Sequence, residues 1–400
     1  INMLASAVNE SISTPGGSTL VDVSFSPSET AGAEPFSSIT GSSNFLDVAG
    51  QQILADLLVN ELSIGRNGGT ESALLVTLIN ATTSFGDGIT DLASVADASG
   101  SLLALSDGVA GTLDGNFSTT GVNTSGSYQF QVNTTNTSIN ETLSIGGNII
   151  FLNLDAGNYV HVLGLGSQLN VLGQTLNGNF LFRQDPSGDV TIQAADLSTA
   201  FTDGPFNLIT LFDGSGLLAL SPSGVAGQLD GSIFTNVPGL SLLGGLTLEI
   251  NTTNQAVDRS FSIDGSFFNL NLPTGSYVRM NGAGLSLALG SQTLSGPIHF
   301  EHGFSGVVGI GNEVDSALGS SNLIGVTDAS GAILLTTDGA AASFSGNIIL
   351  TDPHLSFLAP LNLQINTRGT AVNETVNSGG QPTSLELPAG PFVRLIGQQT

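Results

Sequence analysis

One pattern recurs three times in this chain, and any fold it adopts has to repeat with it. DASGSLLALSDGVAGTLDG starts at Asp97, DGSGLLALSPSGVAGQLDG at Asp213 and the more divergent DASGAILLTTDGAAASFSG at Asp328, at spacings of 116 and 115. A second anchor keeps step: QVNTTN around Asn133, EINTTN around Asn251 and QINTRG around Asn366. LDAGNYVHV, LPTGSYVRM and LPAGPFVRL then bring Tyr159, Tyr277 and Phe392 into register. A third anchor, VLGQTLNG at Gly173 and ALGSQTLSG at Gly290, has an earlier relative in VAGQQILAD at Gly50 and a later one in LIGQQT at Gly397. The chain therefore reads as a leader over 1–44, a partial repeat over 45–90, whole repeats over 91–205 and 206–320, and a partial repeat over 321–400. If Gly50 and Gly397 are equivalent, a unit is divided between the two ends of this sequence.

Within a unit apolar and polar residues alternate, as in LTLEI from Leu246, YVRM from Tyr277 and LSLALG from Leu285. That period of two is the signature of strands with one buried face. Each run ends in Gly, Ser, Asn or Asp, the residues that close tight turns. About ten strands per unit are expected. QQILADLLVNEL from Gln51 comes nearest to helical spacing, yet it aligns with strand segments of the other copies. Gly111 and Gly115 around Leu113, and Gly227 and Gly231 around Leu229, imply close approach of another backbone. The predicted fold is all-β: three tandem repeats of about 117 residues forming an elongated, mainly antiparallel rod of β-sandwich or β-solenoid type, with a parallel β-helix as the alternative.

Composition narrows the function. Only 10% of residues are charged and all six basic ones are Arg, so Ser, Thr, Asn, Gln and Gly must make the polar surface. That suits an extracellular or cell-surface setting. A net charge of -26 removes the attraction that dominates nucleic-acid binding and opposes docking on anionic lipid. With no Cys there is no disulfide and no thiolate chemistry. No stretch has the roughly 18 apolar residues of a membrane-spanning helix, so membrane insertion is not expected. The chain opens INMLASAV, without the basic region of a signal peptide, and reads as a processed product or a piece of something longer.

The three anchors, through Gly100, Gly216 and Gly331, Asn133, Asn251 and Asn366, Tyr159, Tyr277 and Phe392, and Gly173 and Gly290, resemble the tandem segments of very large secreted bacterial surface proteins, similar in style to RTX adhesins. The likeness covers residues 45–400. It implies an extracellular rod or stalk. The GGxGxDxUx nonapeptide of calcium-binding RTX rolls does not occur here.

Few residues offer chemistry. Asp97, Asp213 and Asp328 head the DxSG turns, where Asp accepts from nearby backbone N–H groups; the same carboxylates are the candidate ligands if the acidic loops hold Ca²⁺, the single cofactor considered. His161, Arg279 and Arg394 share one repeat position, read as a solvated strand face or as a partner for a carboxylate of an adjoining subunit. In HFEH, strand geometry puts His299 and Glu301 on one face and His302 on the other, which is not the zinc-binding HExxH of a helix. His354 stands alone in the sequence. Sequons occur at Asn9, Asn80, Asn116, Asn123, Asn133, Asn136, Asn140, Asn251 and Asn373. No catalytic motif is present, and six scattered Arg offer no site for an anionic sugar, so an enzyme is not expected.

The expected function is a self-assembling extracellular filament or sheath subunit. It would polymerise with its own copies head to tail by strand complementation, with LVDVSFS from Leu20 as a donated strand. The alternatives are a stalk segment of a giant adhesin and a carbohydrate-binding module contacting polysaccharide. For the last, Tyr128, Tyr159 and Tyr277 without Trp make a poor platform.

Overall fold

The computed structural model describes residues 8–13, 20–25, 38–66, 68–145, 148–184, 188–263, 266–290, 292–303, 305–318, 324–350, 354, 360–378 and 381–397. Every regular element among them is a strand. In the leader, β1 (Val8–Ser13) pairs with β2 (Leu20–Phe25). Then come β3 (Ser38–Val48), β4 (Gln51–Arg66) and β5 (Gly69–Gly86). The first whole repeat supplies β6 (Asp91–Leu105), β7 (Gly108–Thr119), β8 (Asn123–Ser125), β9 (Tyr128–Asn133), β10 (Ile139–Ile145), β11 (Asn148–Leu154), β12 (Tyr159–Val171), β13 (Gln174–Gln184) and β14 (Val190–Asp203). The second supplies β15 (Phe206–Ser221), β16 (Gly224–Thr235), β17 (Leu240–Leu243), β18 (Leu246–Asn251), β19 (Val257–Ile263), β20 (Ser266–Leu272), β21 (Tyr277–Leu289), β22 (Gln292–Gly303) and β23 (Gly306–Leu318). The last part holds β24 (Ile324–Thr336), β25 (Gly339–Leu350), β26 (Leu361–Asn366), β27 (Val372–Ser378), β28 (Gln381–Leu387) and β29 (Phe392–Gly397).

The expectation of an all-β, antiparallel fold is met. Twenty-one strands belong to one large antiparallel sheet that does not close into a barrel. It is a meander, in which successive long strands pair with their sequence neighbours. β8 and β9 share the place between β7 and β12, as β17 and β18 share that between β16 and β21. Three hairpins, β10–β11, β19–β20 and β27–β28, leave the sheet at the same point of each repeat. A whole repeat has nine strands rather than ten, and the near-helical QQILADLLVNEL is the start of β4. β3 begins at Ser38, inside the stretch read as leader, and Leu20–Phe25 of LVDVSFS pairs with β1.

The registers repeat along with the sequence. Asn133, Asn251 and Asn366 stand opposite Ala110, Ala226 and Ala341 on one side, and opposite Tyr159, Tyr277 and Phe392 on the other. From the position of the Gly–Gln turns, β3 corresponds to β12 and β21, and β4 to β13 and β22; β29 begins as β12 and β21 do. Residues 398–400 of the LIGQQT anchor lie outside the described residues.

Two compact units are distinguished: Ile1–Thr120 with Thr124–Ser167 and Leu181–Thr191, and Gly121–Asn123 with Gln168–Phe180 and Ile192–Thr400. In the first, hairpin β10–β11 lays Leu143, Leu152 and Leu154 over Ile64, Leu75, Leu103 and Ala110. Elsewhere in this unit buried Phe85 packs against Phe130, and half-buried Phe117 packs edge-on against Phe182. In the second, β19–β20 brings Phe261, Leu270 and Leu272 onto Leu217, Ala219 and Ala226, and β27–β28 brings Val376, Leu385 and Leu387 onto Ala332, Leu334 and Ala341. Each buried Leu or Phe contributes about 2 kcal/mol before the entropy of ordering it.

These hairpins explain a run that breaks the alternation. In LLAL, Leu217 and Ala219 face the hairpin while Leu218 and Leu220 face the opposite side, and all four are buried. A strand covered on both faces needs a continuous apolar run.

Candidate functional site

The places where function would be sought are the positions that recur, because the repeat has kept their chemistry together. Asp97, Asp213 and Asp328 take φ of 50°, 50° and 53°, and each sits where the pairing of its strand slips, between Ala96 and Ser99, Phe212 and Ser215, and Thr327 and Ser330. They are β-bulge residues and not the heads of hairpin turns, as the sequence suggested. Asp tolerates the left-handed region better than most residues, and a bulge bends its strand. All three are exposed; Asn116 donates to Asp97 Oδ2 at 3.3 Å, and the backbone N–H of Asp328 donates to Asp315 Oδ1 at 3.3 Å. Among the described residues no three His, Asp or Glu form a group able to hold a metal ion.

The asparagines form a clip. Asn133, Asn251 and Asn366 are wholly buried. The Nδ2 of each donates to a carbonyl four residues on (Thr137, Gln255, Thr370) and to one at the far end of the hairpin (Asp155, Pro273, Pro388), at 2.7–3.0 Å. Oδ1 accepts the backbone N–H of Thr135, Thr253 and Arg368. The next residue, Thr134, Thr252 or Thr367, accepts through Oγ1 from Val109, Val225 or Ala340 and packs on the turn glycine Gly108, Gly224 or Gly339. So the NT dipeptide fastens both feet of each covering hairpin to the sheet. Asn133 and Asn251, two of the sequons, are inaccessible to a glycan in the folded chain.

The basic position lies in a three-residue stack. Arg279 rests 4.5 Å over the Tyr277 ring and pairs with Glu249 at 2.7 Å; Asn281 and Gln228 also donate to Glu249, at 3.0 and 3.4 Å. His161 stacks on Tyr159 at 4.3 Å and meets Gln131 Oε1 at 3.0 Å. Arg394 lies 4.6 Å over Phe392 and donates twice to Gln364 Oε1, at 2.9 and 2.7 Å. The side chain is thus neither a solvated strand face nor free for an adjoining subunit in the first two copies. Sequence reasoning missed its acceptor, Gln131, Glu249 or Gln364, although the signal was present two residues before each clip asparagine. The turn carboxylates are likewise taken: Asp107 holds Arg66 through two bonds of 2.7 and 3.0 Å, and Asp338 pairs with Arg368 at 2.9 Å. The Arg66 bonds hold the Asp107 carboxyl below its usual pKa.

HFEH follows strand alternation. Burial, and next to it the charge of Arg279, lowers the proton affinity of His299, and Glu301 acts on Tyr277 from the same side. His302 instead meets Gln174 at 3.1 Å with its ring beside Phe201. His354 is exposed. Gln174 is itself a repeated part: its Nε2 reaches Thr199 and the carbonyl of Ala200, as Gln51 reaches Thr83 and Ser84. A shallow polar hollow of about 390 Å³ opens beside Gln174, Thr199, Asn177 and His302. Tyr128 is buried, and the half-buried rings of Tyr159 and Tyr277 carry His161 and Arg279 on one side.

Arg66, Arg279 and Arg368 each pair with a carboxylate of the same chain, and these bonds tie strands and turns together. Comparison with protein-family models, curated proteins and solved structures gave no match.

Proposed function

We propose that the chain is an extracellular structural protein, a non-catalytic subunit that assembles head to tail with its own copies into a filament or sheath by strand complementation. The observation that carries this reading is the pair of sheet edges. Among the described residues β3 pairs with β4 alone and β29 with β26 alone, and the two strands correspond to the same element of the repeat. An unpaired edge is a template for another chain. The residues that recur in the clips, stacks and glutamine staples give further support, since they are engaged in pairing within the chain. LVDVSFS, engaged with β1, is replaced as donor by β29. A composition with few charged residues and a net charge of -26 fits a secreted element that meets neither nucleic acid nor anionic membrane.

Negative-stain images of the purified chain over a range of concentrations test the reading. Fibres with a regular axial repeat are expected, and monodisperse single chains at every concentration would overturn it. The adhesin-stalk reading is favoured by one fact, that three copies keep the same clip. It requires the chain isolated from its source to have a mass far above 40.5 kDa.

A further inference from the structure

Asn60 is buried to 2% exposure, yet neither its Nδ2 nor its Oδ1 has a hydrogen-bond partner. Leaving both groups of an amide unsatisfied is costly, and native folds seldom do so without a reason. Asn60 lies on β4, opposite Ser38 of β3 and Leu75 of β5. Counted from the Gly–Gln turn, the residues equivalent to Ser38 are His161 and Arg279, and those equivalent to Asn60 are Arg183 and Glu301. Every other described copy of the position facing this row therefore carries a long nitrogen donor. At Ser38 it is lacking.

The missing donor exists on β29. Arg394 is the third residue of that strand, as Arg279 is of β21 and His161 of β12. β29 also shows the marks of a strand short of one neighbour. Val162 and Met280 are fully buried, whereas their equivalent Leu395 is partly open; Val393 and Ile396 are 37% and 38% exposed. Resting on the proposed head-to-tail assembly, we infer that β29 of one copy docks on β4 of a second, with Arg394–Gly397 in the place of Ser38–Gly41 and the Arg394 guanidinium on the Asn60 amide. The rest of β3, from the bulge after Gly41, stays in place and completes a strand of the β12 kind from two chains. Two guanidinium donors already reach Gln364, and others remain for Asn60 Oδ1.

Because the chain has no Cys, single-cysteine variants report the register directly. Arg394→Cys is mixed with a mass-tagged Asn60→Cys under mild oxidation, and Ile396→Cys with Leu58→Cys as a second pair, since Thr40 faces Leu58. Arg394→Cys with Val59→Cys, on the opposite face, is the control. The inference expects tagged mixed disulfides in both matched pairs, at least tenfold above the control. Matched pairs no better than the control would overturn it. If the unmodified chain still forms fibres in that case, assembly stands and this register alone falls; if it forms none, both fall.

Discussion

Glu249 and Arg279, thirty residues apart, face each other on β18 and β21 with Nε and a terminal nitrogen of the guanidinium both bonded to Oε2, at 2.8 and 2.7 Å. Glu249 is almost fully buried, so the pair is held out of water, and removing one partner strands the other. The other copies use Gln131 and Gln364 at this place. Glu249→Gln is expected to cost less than about 1 kcal/mol, while Glu249→Ala costs about 3 kcal/mol. Urea unfolding of the two variants checks the order.

The clip gives a threefold prediction. Asn133→Ala, Asn251→Ala and Asn366→Ala each leave two buried carbonyls and at least one N–H without a partner. A loss of about 2–4 kcal/mol is expected for each. Limited proteolysis should cut first in the hairpin next to the altered residue.

Close approach at the recurring glycines is testable by one methyl group. A Cβ on Gly100, Gly216 or Gly331 would stand 2.0, 2.2 or 1.9 Å from the carbonyl oxygen of Thr112, Gln228 or Ser343. Ala at each is expected to destabilise by about 1–3 kcal/mol. Gly245→Ala, with open space around it, should change thermal stability little.

The tyrosines give a pH signature. Burial pushes Tyr128 and Tyr277 up to about 12, and Tyr159 is raised by the same cause. The unfolded phenol ionises near 10, so the folded state disfavours phenolate. The contribution is complete below about pH 10 and is lost as pH rises toward 12. Near-ultraviolet absorbance should show almost no phenolate at pH 10, followed by a steep rise that coincides with loss of the strand circular-dichroism signal.

Much of the fold was legible because the repeat and the period of two are local. The spacing of Asp97, Asp213 and Asp328 marks three equivalent positions, although they are bulges and not the turns expected, and Gly50 and Gly173 occupy equivalent turns. Two features were not legible. The run LLAL gave no hint that hairpin β19–β20 covers its outer side, because cover depends on a segment some forty residues away. The acceptor of Arg279 was also hidden, since which carboxylate faces a cation is set by cross-strand register and not by nearness in sequence.

The recurring Asn–Thr clips are engaged within the fold, and hydrogen exchange at the three of them tests this most directly. The backbone N–H groups of Thr134, Thr252 and Thr367 donate to Val109, Val225 and Ala340 at 2.8–2.9 Å. All three should exchange as slowly as the neighbouring sheet amides. Exchange at the rate of open loops in any whole repeat would contradict the account.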